Sequence, residues 1–219
     1  MPSDAKSDAA VIFTNPDAYT DLQAWHAVAA RLRREDPVCR VESARFEPFW
    51  AAAQETGALI FVHPTTTGFG LTALSSHYLW NSVGNPMETA VTAAHMASAG
   101  VLERHRELKI LLAHGGGGLL AVRGRLRRAF AIRPEARSSS LAGPDASLRA
   151  FFYDSLTHDK ELLAALIDYV GADRVLLGSD RPFDMGTEHP VEEIRALGRH
   201  DVEQLVLGEN ACRLLGLGR

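Results

Sequence analysis

Cysteine is nearly absent from this chain: two in 219 residues, Cys39 and Cys212. They stand far apart with no metal-type spacing, which excludes a disulfide framework and a thiolate metal cluster as organising principles. Long apolar runs are also missing; none approaches the roughly 18 residues of a membrane span. Neither sign of charge dominates, with 23 Lys and Arg against 27 Asp and Glu, a formal charge of −4 and a pI near 6.1. Nothing in that balance favours nucleic acid or an anionic membrane as partner. Residues Met1–Ala9 are polar and lack the apolar centre of a signal peptide. No internal repeat or low-complexity tract stands out. These absences predict a soluble cytoplasmic protein, read as one domain over 1–219, and an apolar content of 46% suffices for a substantial core.

The stretch Lys109-Ile-Leu-Leu-Ala-His114-Gly-Gly-Gly-Gly118 is the most informative. Its unbroken apolar run reads as a strand buried on both faces, ended by a histidine and four glycines before a helical pattern over Leu119–Ile132. A second run, Leu59-Ile-Phe-Val62, also ends on a histidine, His63. Further strands are predicted at Ala9–Thr14, at Phe151–Tyr153 (ending in Asp154) and at Arg174–Leu177 (leading to Asp180). Helical periodicity covers Asp21–Glu35, Phe46–Thr56, Met87–Ala99, Lys160–Val170, Val191–Leu197 and Asp201–Leu215. The polar stretch Arg133–Ser147 is expected to be a mobile surface loop. Strands alternating with helices argue for an α/β fold with parallel strands, about five units where a closed (β/α)8 barrel has eight.

In a parallel sheet the strand ends share one face, so His63, His114, Asp154 with His158, and Asp180 are expected to converge there. Histidine and carboxylate suit a divalent metal of the zinc type, and catalytic zinc commonly has three protein ligands. His63 and Asp180 are two candidates; His114 is either a third or a general base. The competing reading makes them ordinary polar caps on buried strands. The long loop after His63 and the aromatic segment around Trp80 are expected to form pocket walls.

The order Phe61-Val-His63-Pro64, Ala113-His114-Gly-Gly-Gly117, Gly178-Ser-Asp180-Arg-Pro-Phe183 and Gly208-Glu-Asn-Ala211 resembles the amidohydrolase-2 family, which includes aminocarboxymuconate-semialdehyde decarboxylase and resorcylate-type decarboxylases. Gly84-Asn-Pro-Met-Glu-Thr89 and Tyr153-Asp-Ser-Leu-Thr-His158 extend the likeness, which runs from about Phe46 to Leu217. The resemblance implies a (β/α)8-type TIM barrel whose first three βα units are missing, with residues 17–44 an atypical helical insert. It implies that His63 and Asp180 bind the metal, that His114 is the acid/base or water-activating group, and that His114 and Asp180 are the catalytic residues. The activity implied is decarboxylation of a small unsaturated or aromatic carboxylic acid, with hydrolysis of a lactone-like substrate as the alternative.

The chain departs from that family in two places. The family's first strand carries a His-x-His or Glu-x-His pair that supplies further metal ligands, and no such pair stands ahead of His63. A metal, zinc with manganese as the alternative, is therefore expected to be weakly held or absent unless His114, His158 or Asp154 substitutes. Arg181 stands where the family often has an aromatic residue; it is a candidate for holding a substrate carboxylate in a bidentate pair and equally for a surface salt bridge, with His158 and Trp80 as further substrate contacts. An incomplete barrel also leaves sheet edges that favour association. Hence a homodimer, a complex with a chain completing the barrel, or a non-catalytic homologue are the remaining expectations. His77 and His95 are expected to be partly buried and hydrogen-bonded, His105, His189 and His200 to face solvent, and Glu88 to be a helix N-terminal charge.

Overall fold

The computed structural model describes residues 46–64, 68–137 and 139–217. The predicted strand Ala9–Thr14, the helix Asp21–Glu35 and the insert at 17–44 lie outside the described residues. Four parallel strands form one sheet: β1 (Leu59–Val62), β2 (Lys109–Leu112), β3 (Phe152–Asp154) and β4 (Val175–Leu176), in the order β1-β2-β3-β4. Spatial order follows chain order without reversal. A doubly wound sheet reverses at a switch point; a barrel adds each strand beside the last. The sheet is thus an arc of the barrel type.

Helices α1 (Glu47–Thr56), α2 (Asn85–Ser98), α3 (Val101–Arg104), α4 (Leu119–Ile132), α5 (Pro144–Ala150), α6 (Lys160–Val170), α7 (Pro190–Arg195), α8 (His200–Gln204) and α9 (Asn210–Leu215) follow and separate the strands. Register explains which strand residues they cover. Val62, Leu112 and Tyr153 lie side by side, and Leu112 and Tyr153 are buried with Ile110, Val175 and the apolar faces of α2 and α6. The neighbouring row, Phe61, Leu111 and Phe152, points to the other face. There Phe61 is 53% exposed although it is a strand residue.

Local sequence accounts for the ends of the helices. Asp159 caps α6, its carboxylate accepting the Leu162 N–H at 2.7 Å, and Gly57 ends α1 in the left-handed conformation. The predicted single helix Asp201–Leu215 is instead α8, a wider π-type turn over Leu205–Glu209, and α9. Asn210 opens α9, is 2% exposed, and donates to the carbonyls of Ala172 and Val175 at 2.7 and 2.8 Å. It fastens the last helix to the start of β4.

The expectation of a mobile loop at Arg133–Ser147 is corrected. A 3-10 turn occupies Pro134–Arg137, α5 begins at Pro144, and Ser140 and Ser147 are each 2% exposed. The cause is Glu103 on α3. Its carboxylate accepts from the Ser140 hydroxyl, from Leu141 N at 3.0 Å and from Ala142 N at 3.3 Å. Burial alone pushes this acid up, but those bonds and Arg104 outweigh it, so Glu103 titrates below the usual range. Glu103→Gln, which turns one acceptor oxygen into a donor, is expected to cost about 1 kcal/mol in urea unfolding. A depressed folded pKa stabilises above the unfolded value of about 4.3 and is lost as pH falls through the folded one. The mutant's deficit is therefore expected at pH 6 and should vanish under acid conditions; an equal deficit at both would disprove the assignment.

Candidate metal and acid–base centre

His63, His114 and Asp180 each lie just beyond the end of a strand, and the structure brings them together. His63 Nε2 is 3.4 Å from Asp180 Oδ1, His114 Nε2 is 3.8 Å from Asp180 Oδ2, and the two imidazole centroids are 5.1 Å apart. One ligand atom from each falls within 4.8 Å of the others, and among the described residues this is the one such trio of potential metal donors. Asp154 and His158, considered as substitutes, are not part of it.

The protonation pattern of His63 bears on what belongs between these groups. Its Nδ1 lies 3.0 Å from the Pro64 carbonyl oxygen. A carbonyl only accepts, so Nδ1 carries the hydrogen and a neutral ring presents the Nε2 lone pair to the Asp180 carboxylate. Two acceptors face each other there, and a proton or a cation between them relieves the conflict. His114 is mostly buried, and its Nδ1 has no hydrogen-bond partner. Burial first, then the neighbouring His63, lowers its pKa; Asp180 opposes but does not cancel them. A neutral imidazole next to a carboxylate is a donor set that suits zinc or a similar divalent ion, so the residues fit such a metal.

The backbone at these positions is unusual. His114, His158 and Asp180 all have positive φ (57°, 53° and 55°), a region that residues with a Cβ seldom adopt. Such strain persists only where surroundings impose it. For His114 the source is visible. Asp154 at the end of β3 is buried, and its Oδ1 accepts Gly115 N at 2.8 Å and Leu156 N at 3.1 Å. Desolvation pushes its pKa up to about 6, with these bonds pulling the other way. The glycine run is hemmed in on all sides. A Cβ on Gly117 (φ +60°) would sit 1.9 Å from the Pro86 carbonyl oxygen, and one on Gly115 would sit 2.7 Å from Thr157 Cγ2. No other residue type lets this strand-to-helix turn press so closely on its neighbours.

The trio opens into a cavity of 690 Å³. Its walls include Tyr78, Trp80, Phe183, Met87, Leu156 and His158, so the expected wall residues Trp80 and His158 are present. The His63 ring stacks on Phe183, centroids 6.3 Å apart, and Tyr78 donates to Asp184 at 3.1 Å. Arg181 is exposed and is not among the wall residues; this placement does not support the expected grip on a substrate carboxylate. Among the described residues the walls contain no Lys or Arg.

Several lesser expectations are corrected. Glu88 does lie in the first turn of α2, as a helix N-terminal charge would, but it is also a buried tie: it is 6% exposed and accepts from Gly68 N and from Phe69 N at 3.0 Å. His77 and His95 are exposed. His105 does not face solvent freely, since its Nε2 contacts Glu47 at 2.8 Å. Wall residues Asn81, Ser82 and Asn85 were not anticipated. They sit on or beside a π-type turn, Trp80–Gly84, whose wider winding carries no periodicity signal.

Comparison with known proteins agrees with this geometry. The fold agrees first: Polaromonas dihydroxybenzoic acid decarboxylase, solved with manganese and 2-nitroresorcinol, superposes with TM-score 0.71 at 22% identity over 82% of this chain and 56% of its own. Metarhizium anisopliae IDCase superposes with TM-score 0.69 at 23% identity, covering 90% of this chain and 61% of its own. The amidohydrolase family model (Amidohydro_2) matches residues 20–217. The chain belongs to the amidohydrolase family. In sequence it is 34% identical over 174 residues to Dictyostelium discoideum 2-amino-3-carboxymuconate-6-semialdehyde decarboxylase, covering 78% of this chain and 48% of that protein. To the gamma-resorcylate decarboxylase of Rhodococcus jostii it is 26% identical, covering 80% and 55%. The chain thus spans about half the length of the curated relatives it matches.

Asp154→Ala removes the acceptor of two buried N–H groups, each worth about 1–3 kcal/mol when left unpaired. Asp154→Asn keeps an acceptor oxygen and removes a charge that burial disfavours, so its loss is expected to stay near 1 kcal/mol. Urea unfolding of the two variants checks this ordering, and equal losses would show that the carboxylate does not hold the His114 turn.

Proposed function

We propose that this chain carries the catalytic centre of a metal-dependent decarboxylase acting on a small aromatic or unsaturated carboxylic acid. The observation that carries this reading is the convergence of His63, His114 and Asp180 at the floor of one cavity. The cavity is of the size of small-molecule sites, and its aromatic and aliphatic walls suit a flat unsaturated substrate. Relatives named as decarboxylases of such acids support the substrate class.

His63 and Asp180 would hold a divalent ion, with His114 as a third donor or adjacent proton carrier; zinc suits the donor set, and manganese, present in one related structure, is the alternative. When bound, such an ion supplies positive charge and polarises a substrate oxygen. The other work falls to this chain's side chains. Tyr78, Trp80 and Phe183 orient the substrate plane and exclude water from it. As the bond to the carboxyl carbon breaks, carbon dioxide leaves and the electron pair stays on the substrate carbon. His114 delivers a proton to that carbon and is recharged from solvent. Its environment disfavours the imidazolium, which makes the protonated ring a ready donor. Hydrolysis of a lactone-like substrate would use the same histidine to take a proton from water.

A second reading concerns completeness. Phe61 is 53% exposed on β1, a strand that pairs only with β2 among the described residues. This favours a homodimer, or a partner chain supplying further βα units and the metal ligands that the His-x-His pair provides in the family. Cytoplasmic residence is part of the proposal: Cys212 is a free thiol, and among the described residues no helix is long and apolar enough to cross a membrane.

Metal analysis after zinc or manganese loading is expected to find one ion per chain, lost in His63→Ala. His114→Ala is expected to reduce carbon dioxide release from aromatic carboxylates by about 10²–10⁴-fold; unchanged turnover would remove His114 from the reaction. Light scattering at rising concentration tests association, and a strict monomer that still binds one ion would refute the need for a partner.

A further inference from the structure

A second cavity, of 330 Å³, lies at the other end of the sheet, where β2 and β3 begin. Lys109 opens β2, and about four residues of strand, some 13 Å, separate it from the His114 end. Four cationic residues, Arg106, Lys109, Arg174 and Arg213, border this cavity with two acids, Glu107 and Asp173. Arg174 is already matched: its Nε is 3.5 Å from Asp173, and its guanidinium lies over the Phe152 ring at 4.9 Å. The other three have no carboxylate partner among the described residues. Lys109 Nζ donates to the Leu214 carbonyl at 2.9 Å, and Arg213 donates to Asn210 Oδ1 at 3.1 Å. Arg106 is exposed.

In a chain with a formal charge of −4, three cations without acid partners around one concavity are an electrostatic concentration. The frame behind them is rigid. Asn210, 2% exposed, spends both amide hydrogens on the Ala172 and Val175 carbonyls, leaving its oxygen to steady Arg213. We propose that this cavity is a binding site for a small polyvalent oxyanion, a phosphate group above all. The guanidinium forks offer paired N–H donors, and Lys109 adds a compact charge. Leu108, 4% exposed, and Phe152 provide an apolar side where the organic part of a phosphate monoester would rest. This site does not depend on the proposed reaction.

Calorimetric titration of the full chain with inorganic phosphate, at constant ionic strength, tests it. Wild-type protein is expected to bind one phosphate saturably. Arg106→Glu and Arg213→Gln are each expected to weaken binding at least tenfold, while His63→Ala leaves it unchanged. Arg106 is exposed and its side chain makes no hydrogen bond within the described residues, so its variant remains informative even where Arg213→Gln perturbs folding. Absence of saturable binding, or binding weakened by His63→Ala and not by Arg106→Glu, would overturn the proposal.

Discussion

A left-handed turn at the end of a buried strand is the constraint on which the centre depends. His114 and Gly115 both have positive φ, which directs the imidazole back over the sheet toward Asp180. Regular continuation of β2 would send it elsewhere. The conformation costs free energy at a residue with a Cβ, and the offset comes from Asp154, whose buried carboxylate oxygen gathers two backbone N–H groups beside the turn. Gly117 and Gly118 then press on Pro86 and Met87, locking the start of α4 against α2. The placement of the His114 ring thus rests on a carboxylate that is not among the potential metal donors.

Much of this was legible in the sequence, and the part that was not has identifiable physics. Helices Leu119–Ile132 and Lys160–Val170 follow from periodicity alone, because their apolar faces pack on the sheet and their ends are marked by glycine and by the Asp159 cap. Strand ends were readable because buried parallel strands are continuous apolar runs, so the first polar residue is conspicuous. The order within Arg133–Ser147 is not legible because it derives from Glu103, 37 to 39 residues before the groups it binds; long-range bonds of this kind leave no local trace. The π-type turns at Trp80–Gly84 and Leu205–Glu209 escaped for a related reason, since an extra residue per turn breaks the periodicity that betrays a helix. Arg181 is a candidate from its place in the family pattern and its chemistry, and position along the chain does not say which way a surface side chain points.

An arc of four strands is enough to assemble the trio because the strands that precede its members are neighbours or nearly so. His63 and His114 follow adjacent strands β1 and β2, and Asp180 follows β4. Register through β2, β3 and β4 therefore sets the distance between the histidines and the aspartate. The Tyr153 ring, 2% exposed and held by a 2.6 Å bond to the Leu148 carbonyl, props that span from beneath by abutting Gly116. On the helix-facing side Leu112 and Tyr153 are buried and Val62 is partly so, whereas Phe61 on the opposite face is 53% exposed. Burial thus secures the geometry of the centre from one side only, and completion of the other face would change its surroundings more than its internal distances.

Charge links the metal to the substrate class. The cavity walls bring in the carboxylates of Asp180 and Asp184 and, among the described residues, no fixed cation. If the substrate is an acid, as proposed, its carboxylate entering such a space would meet repulsion that strengthens as water is excluded and the effective dielectric falls. Protonating His63 or His114 counters it only in part, and burial resists doing so at His114. His63 and Asp180 would hold a divalent ion, which would supply positive charge to the cavity and satisfy the facing acceptors at the same time. In the proposed function, metal binding and recognition of an acid are consequently one proposition: donors that fit a cation are also what would make the cavity hospitable to an anion.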